Sequence, residues 1–241
     1  CSMNKHDVRV DVAFTLLIHR HVNMSFAIAA PTRATFHTQV KSRASPRTRV
    51  GCTAGLFDGF GRGGSKKAKD DVLRLAETQR RGVGHSPEDR AEMEAAVDAL
   101  IASRGKGGRA NTDRNVLTAD WRLAWTSENE TLFLLEKFPG GVDGAPLTQA
   151  YQRIDVDEGT LSNEVVFCNG TDFVVNSVIE VVDDVRVSFK FTAAALNLAE
   201  PVEASVPLPP FGRGWFDNVY VDKDMRVARD SRGDTLVVVR D

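Results

Sequence analysis

The 241 residues are 42% hydrophobic and 27% charged at a formal charge of −2, the balance of a globular chain rather than a disordered one. Three cysteines cannot build a disulfide scaffold, and apolar stretches such as Val12–Ile18, broken by Thr15, fall short of the roughly 20 residues a membrane helix needs. Composition thus excludes collagen, a membrane-spanning helix and a disulfide knot, and leaves the partner open.

The near-zero charge hides two unlike parts. From Met24 to Cys52 the chain carries Arg33, Lys41, Arg43, Arg47 and Arg49, many Ser and Thr, and no acidic residue. An Arg- and Ser-rich, acid-free stretch without an apolar h-region has the composition of an organelle transit peptide; a basic nucleic-acid-binding tail is the alternative. Met24 is the expected translation start, residues 1–52 are the expected extension and transit peptide, and Val50-Gly51-Cys52 has the pattern of a stromal processing site. The remaining 189 residues hold 23 basic and 31 acidic side chains, a net −8 that disfavours nucleic acid.

Residues 53–64, with Gly59, Gly61, Gly63 and Gly64, read as a flexible linker. Two helices are expected next, over 65–104. The first spans Ser65–Arg81, with Val72, Leu75 and Ala76 at helical spacing and Gly82 as its stop. Ser86-Pro87-Glu88-Asp89 is a start signal: a capping hydroxyl, proline at the first helical position and acids at the positive dipole end. Met93, Val97, Leu100 and Ile101 form the apolar stripe of the second helix, which Arg104 and Gly105 close.

After Leu117 the period falls from 3.6 to 2. Trp121, Leu123 and Trp125 share one face of a first strand. Thr131–Phe138 fits a short helix or a strand and ends at Pro139-Gly140-Gly141. Ala150–Val156 and Ser162–Phe167 flank a turn at Asp157-Glu158-Gly159. Phe173–Val182 turns at Asp183-Asp184 into a strand with Val185, Val187, Phe189 and Phe191 on one face. A short strand at Glu203–Val206 precedes Pro207. Trp215–Val221, Met225–Ala228 and Thr235–Arg240 end the chain. Seven to nine short strands with tight turns predict an antiparallel barrel or sandwich over 117–241 after an α-helical preface, a mainly β (α+β) class.

Ala119-Asp120-Trp121-Arg122-Leu123-Ala124-Trp125-Thr126-Ser127 resembles the opening strand of the plastid lipid-associated protein/fibrillin domain. Tyr151–Val156 and Asn163–Phe167 are similar to its next motifs. Gly214-Trp215-Phe216-Asp217, Tyr220-Val221-Asp222-Lys223-Asp224-Met225-Arg226-Val227-Ala228-Arg229 and Gly233–Arg240 carry the most specific part. The resemblance covers about residues 66–241. It implies a lipocalin-like β-barrel after helices, and a chloroplast protein of plastoglobules or thylakoids that binds lipophilic molecules. Lipocalins place a Gly-x-Trp on the first strand under an Arg from the last. Here the pattern is Ala119-x-Trp121 without the glycine, and Arg240 is the arginine that would cover the indole in a cation–π contact.

No catalytic residue, metal site or cofactor is expected. Four of the five histidines, His6, His19, His21 and His37, lie in the expected transit segment, and His85 reads as an ordinary surface residue. Cys168 reads as a buried apolar residue. An eight-stranded barrel can hold one small ligand; its lining would be Trp121, Leu123, Trp125, Phe167, Phe173, Val175, Val187, Phe189, Phe191 and Tyr220, or these simply fill the core. Asp217, Asp222, Asp224, Arg226 and Arg229 form a polar cluster with Arg240 near the chain end, read as cross-strand pairs or as an anchor for a ligand head group. Pro207–Phe211 is a stiff apolar stretch that would cover a barrel end or touch a lipid surface. Three functions follow: a carrier of an isoprenoid quinone, a carotenoid or a similar lipid; a coat on lipid globules holding no ligand; and an accessory factor for a plastid lipid-metabolism enzyme.

Overall fold

A computed structural model describes residues 61–104, 110–137, 149–167, 170–197, 205–208 and 212–241. The expected transit peptide, most of the expected linker, Cys168 and residues 209–211 lie outside them. Helix α1 covers Gly61–Thr78 and a 3₁₀ turn Arg80–Gly82, followed by α2 (Pro87–Ser103) and the single-turn α3 (Arg114–Leu117). Strand β1 (Ala119–Thr126) leads into α4 (Asn129–Lys137). Eight strands complete the chain: β2 (Gln149–Asp155), β3 (Thr160–Val166), β4 (Asp172–Val181), β5 (Arg186–Asn197), β6 (Ser205–Leu208), β7 (Arg213–Val221), β8 (Met225–Asp230) and β9 (Thr235–Arg240).

The segment Thr131–Phe138, compatible with either period, is helical as α4. The α2 start follows its local chemistry: Ser86 Oγ accepts from the Asp89 amide, and the Asp89 carboxylate accepts from the Ser86 amide, a complete capping box before Pro87. Between α1 and α2 the backbone turns through left-handed conformations at Arg80, Arg81 and Gly82. Gly82 is required there: at φ +96° a Cβ would stand 2.1 Å from the Thr126 carbonyl oxygen, so only glycine lets this turn sit on the end of β1.

The sheet is antiparallel and mostly a meander. Its order is β4-β3-β2-β1-β9-β8-β7-β5-β6, and β4 also pairs β5 along their length, so eight strands close in a ring. β5 uses Arg186–Lys190 for β7 and Ala194–Asn197 for β6, which leaves β6 as an addition outside the ring. The expected strand at Glu203–Val206 thus lies two residues later and runs through Pro207, opposite Ala195. An edge strand tolerates a proline because one side of it needs no N–H donor. Val185 falls in the β4–β5 turn, where Asp183 Oδ1 accepts from the amides of Val185 (2.8 Å) and Arg186 (2.7 Å).

Three apolar clusters hold the fold. One joins α1 and α2 to the sheet through Val72, Leu75, Met93, Val97, Leu100, Trp125, Tyr220, Met225, Val227 and Val237. A second gathers Leu132, Leu134 and Leu135 of α4 over Leu123, Ala150, Val165, Phe167, Phe173 and Leu196. The third packs Leu117 of α3 with Trp121, Ile154, Leu161, Val187, Phe216, Ala228 and Val238.

Candidate functional site

The two faces of the ring follow from the register, because residues directly opposite on antiparallel strands share a face. Val227, Val237 and Tyr220 face α1 and α2. Arg226 lies opposite Val238, and Val238 opposite Leu123, so these three point inward. On β2 and β3 the inward pairs are Ala150–Val165, Gln152–Asn163 and Ile154–Leu161.

Two β-bulges decide which predicted lining residues come together. In β1 the register against β9 shifts between Leu123 and Trp125. Trp121 and Leu123 therefore point inward, but Trp125 turns out beneath the helices, and the three do not share one face as plain alternation predicted. In β7 the register against β8 shifts between Asn218 and Tyr220, which sends Tyr220 to the same outer face. Trp121, Leu123, Phe167, Phe173, Val175, Val187, Phe189 and Phe191 remain on the ring side. Phe189 and Phe191 stand with ring centroids 5.2 Å apart. His85 is half-buried against Trp125, with ring centroids 5.8 Å apart, rather than free on the surface.

One end of the ring is tied shut around Trp121. Its Nε1 donates to the Leu117 carbonyl at 2.9 Å. The Arg240 guanidinium stands 4.8 Å from the indole centroid and donates to the carbonyls of Val116 (2.9 Å) and Lys223 (2.7 Å). At the other end the α4 leucines sit on the second cluster. Between the ends, inward Gln152, Asn163 and Val175 stay only half-buried, whereas Ala150, Ile154, Leu161 and Val165 on the same strands are buried. An inward side chain in mid-strand keeps accessible surface only where water-sized space adjoins it. Burial along these inward rows is therefore uneven.

Arg226 is the unexpected member of this interior. The sequence groups it with the polar cluster read as cross-strand pairs or as a head-group anchor, and in the structure it has no exposed surface. Nη1 donates to Asn218 Oδ1 at 3.0 Å and Nη2 to Gln152 Oε1, and Gln152 Nε2 donates to Asn163 Oδ1 at 2.8 Å. A polar chain thus runs from β3 through β2 to β8 and β7. Its guanidinium lies 5.7 Å from the Trp121 centroid and 5.5 Å from that of Phe216. Nε has no acceptor among the described residues. Burial pulls the guanidinium down to about 9, and among the described residues the charge of Glu128 opposes that fall. Burial likewise raises the Glu128 carboxyl to about 7, against the hydrogen bond it accepts from Thr131.

The rest of the predicted cluster does not pair across the β7–β8 hairpin. Asp217 takes a bidentate pair from Arg186 (2.7 and 2.8 Å), whose guanidinium lies 3.6 Å from the Trp215 centroid. Asp222 accepts from Lys69 of α1 and from the Tyr220 hydroxyl, each at 2.7 Å, and Asp224 lies 3.2 Å from Lys69. Burial alone would raise Asp222, but Lys69, Tyr220 and the Asp224 and Met225 amides hold it below the usual carboxylate range. Arg229 donates to Glu94 and Asp98 of α2, each at 2.8 Å. Arg186–Asp217 thus ties β5 to β7, whereas the Lys69 and Arg229 pairs clip α1 and α2 to the sheet. Strand pairing missed this because the helices were absent from the local pattern.

Sequence reading also missed Gln152, Asn163 and Phe216. Gln152 alternates with Ala150 and Ile154, a usable signal. Arg226 gave none: Met225, Arg226, Val227 and Ala228 are all buried, since helices cover one face of β8 and the ring interior the other.

A family model, PAP_fibrillin, matches residues 66–239 of the chain. The probable plastid-lipid-associated protein 11, chloroplastic, of Arabidopsis thaliana is 38% identical over 176 residues, 73% of this chain and 80% of that protein. No solved structure matches the chain significantly. Among the described residues no helix is long and apolar enough to cross a membrane.

Proposed function

The chain belongs to the PAP_fibrillin family, and from that premise we propose that it is a lipid-associated chloroplast protein whose closed ring is a lipocalin-like barrel holding one small lipophilic molecule. The single observation behind this reading is the half-buried inward band at Gln152, Asn163 and Val175, flanked by the aromatic and aliphatic side chains of both inner clusters. Such a site works by taking apolar ligand surface out of water, at about 25 cal/mol per Å² before ordering costs. Isoprenoid quinones, carotenoids and similar lipids fit that chemistry, and plastoglobules or thylakoids are where the protein would meet them.

Trp121 stands inside the ring and serves as the reporter. The full chain is titrated with a long-chain benzoquinone and with β-carotene while intrinsic tryptophan fluorescence is read. Saturable quenching by either is the expected result; no saturation by any plastid lipid tried overturns the reading.

A second reading has its own support. Val178, Val181, Val182 and Val185 at the β4–β5 hairpin are 38–56% exposed, an apolar tip fit to rest on a globule surface. A coat protein of this kind binds lipid droplets through that tip and holds no ligand. Droplet binding that Val181→Ser with Val182→Ser abolishes, in a chain without saturable quenching, would favour it.

A further inference from the structure

Arg226 is a cation in an interior that the carrier reading reserves for a lipid. Burying a charge is costly unless it is paired, and a guanidinium has five N–H donors in a rigid fork. Here two neutral amide oxygens, those of Asn218 and Gln152, accept from Nη1 and Nη2, and Nε is left without an acceptor among the described residues. Neutral acceptors satisfy hydrogen bonds but cancel no charge. Among the described residues, the carboxylate whose charge reaches Arg226 is that of Glu128, whose own hydrogen bond is with Thr131.

The position matters as much as the charge. Arg226 lies on the inward face, touching Gln152, and Gln152 with Asn163 borders the accessible band. The guanidinium has no exposed surface behind Gln152, so a head group in that band reaches it by displacing the Gln152 amide, with Trp121 and Phe216 beside it and the apolar clusters left for the tail. A quinone or carotenoid hydroxyl would offer an acceptor but no counter-charge. A carboxylate offers two oxygens in the fork geometry and one negative charge.

We infer that Arg226 is the head-group anchor of the ring interior and that the lipophilic molecule it holds carries an ionised carboxylate, as a free fatty acid does. This rests on the carrier reading above and narrows it to an acidic lipid. The Asn218 amide orients the guanidinium through Nη1, and the ligand carboxylate takes the place of the Gln152 amide, one oxygen at Nη2 and one at Nε.

The test compares oleic acid with methyl oleate, equal in tail and different in charge, on the full chain at pH 8 by tryptophan quenching. The wild type should bind the acid at least about tenfold tighter, the increment of one charge-assisted hydrogen bond. Arg226→Met, close in volume and uncharged, should bind both with the affinity of the ester. A second measurement needs no variant: oleate labelled with ¹³C at the carboxyl should, when bound to the wild type, stay ionised to lower pH than the same lipid in a neutral detergent micelle. Equal binding of acid and ester, preference kept in Arg226→Met, or a bound carboxyl that titrates as in the micelle overturns the anchor while the carrier reading stands. Saturable binding of neither, together with none of the quinone or carotene, overturns the carrier reading and the anchor with it.

Discussion

At the scale of single residues, desolvation drives two groups toward neutrality, Arg226 inside the ring and Glu128 between β1 and α4. The Glu128 carboxyl rises from an ordinary 4.5 to about 7 because its site desolvates the charge. A carboxyl held higher in the folded than in the unfolded chain stabilises the fold fully below about pH 4.5. That contribution is lost as pH rises through 7, because the folded state must then give up a proton it binds more tightly. Glu128→Gln keeps an acceptor for the Thr131 hydroxyl and removes the titration. The variant should gain about 1–3 kcal/mol at pH 8 relative to wild type and little at pH 4.5, read as denaturant midpoints at both pH values. An equal effect at both would contradict the assignment. Arg240 acts at the closed end of the ring, directly opposite Trp121. Arg240→Ala removes the Trp121 cation–π contact and the ties to the Val116 and Lys223 carbonyls. A loss of about 1–2 kcal/mol with the ligand affinity of the ring unchanged is expected in urea melts and lipid titrations of the same sample.

At the scale of elements, the seat of the α1–α2 turn on β1 is the most exacting contact. Gly82→Ala would drive a methyl into the Thr126 carbonyl at a positive φ, so a loss above about 2 kcal/mol is expected in thermal unfolding, and a neutral effect would show that the turn docks elsewhere. Ser86→Ala, which breaks only one half of the capping box, should cost about 1 kcal/mol. Most elements were legible because each carries its own signal: the Ser86-Pro87 cap, the Met93–Val97–Leu100 stripe, the Asp183-Asp184 turn and the alternation of Val187 and Phe189. The misplacements share a physical cause. Period-2 reasoning assumes an unbroken ladder, and one extra residue in each of β1 and β7 moves Trp125 and Tyr220 to the other face. Where both faces of a strand are covered, as in β8, burial erases the alternation that would have marked Arg226 as inward. Gln152 was readable between Ala150 and Ile154, but a polar residue on an apolar face gains meaning only once its partner across the ring is known.

At the scale of the molecule, the charge of −2 divides into a basic leader-like stretch and an acidic remainder at −8, and the ring belongs to the acidic part. Among the outer charges of that part, Lys69–Asp222 and Arg229–Glu94 clip α1 and α2 to the sheet. That leaves two apolar features with no such use, the ring interior and the valine tip of the β4–β5 hairpin. They make opposite predictions about where lipid touches the protein. The most direct test is photo-crosslinking of the full chain with a diazirine-tagged long-chain fatty acid, followed by peptide mapping. Adducts concentrated on inward residues such as Val175, Phe189 and Phe191, and competed away by untagged oleate, are the predicted result. Adducts confined to Val178, Val181, Val182 and Val185, with no competition, would contradict an interior binding site.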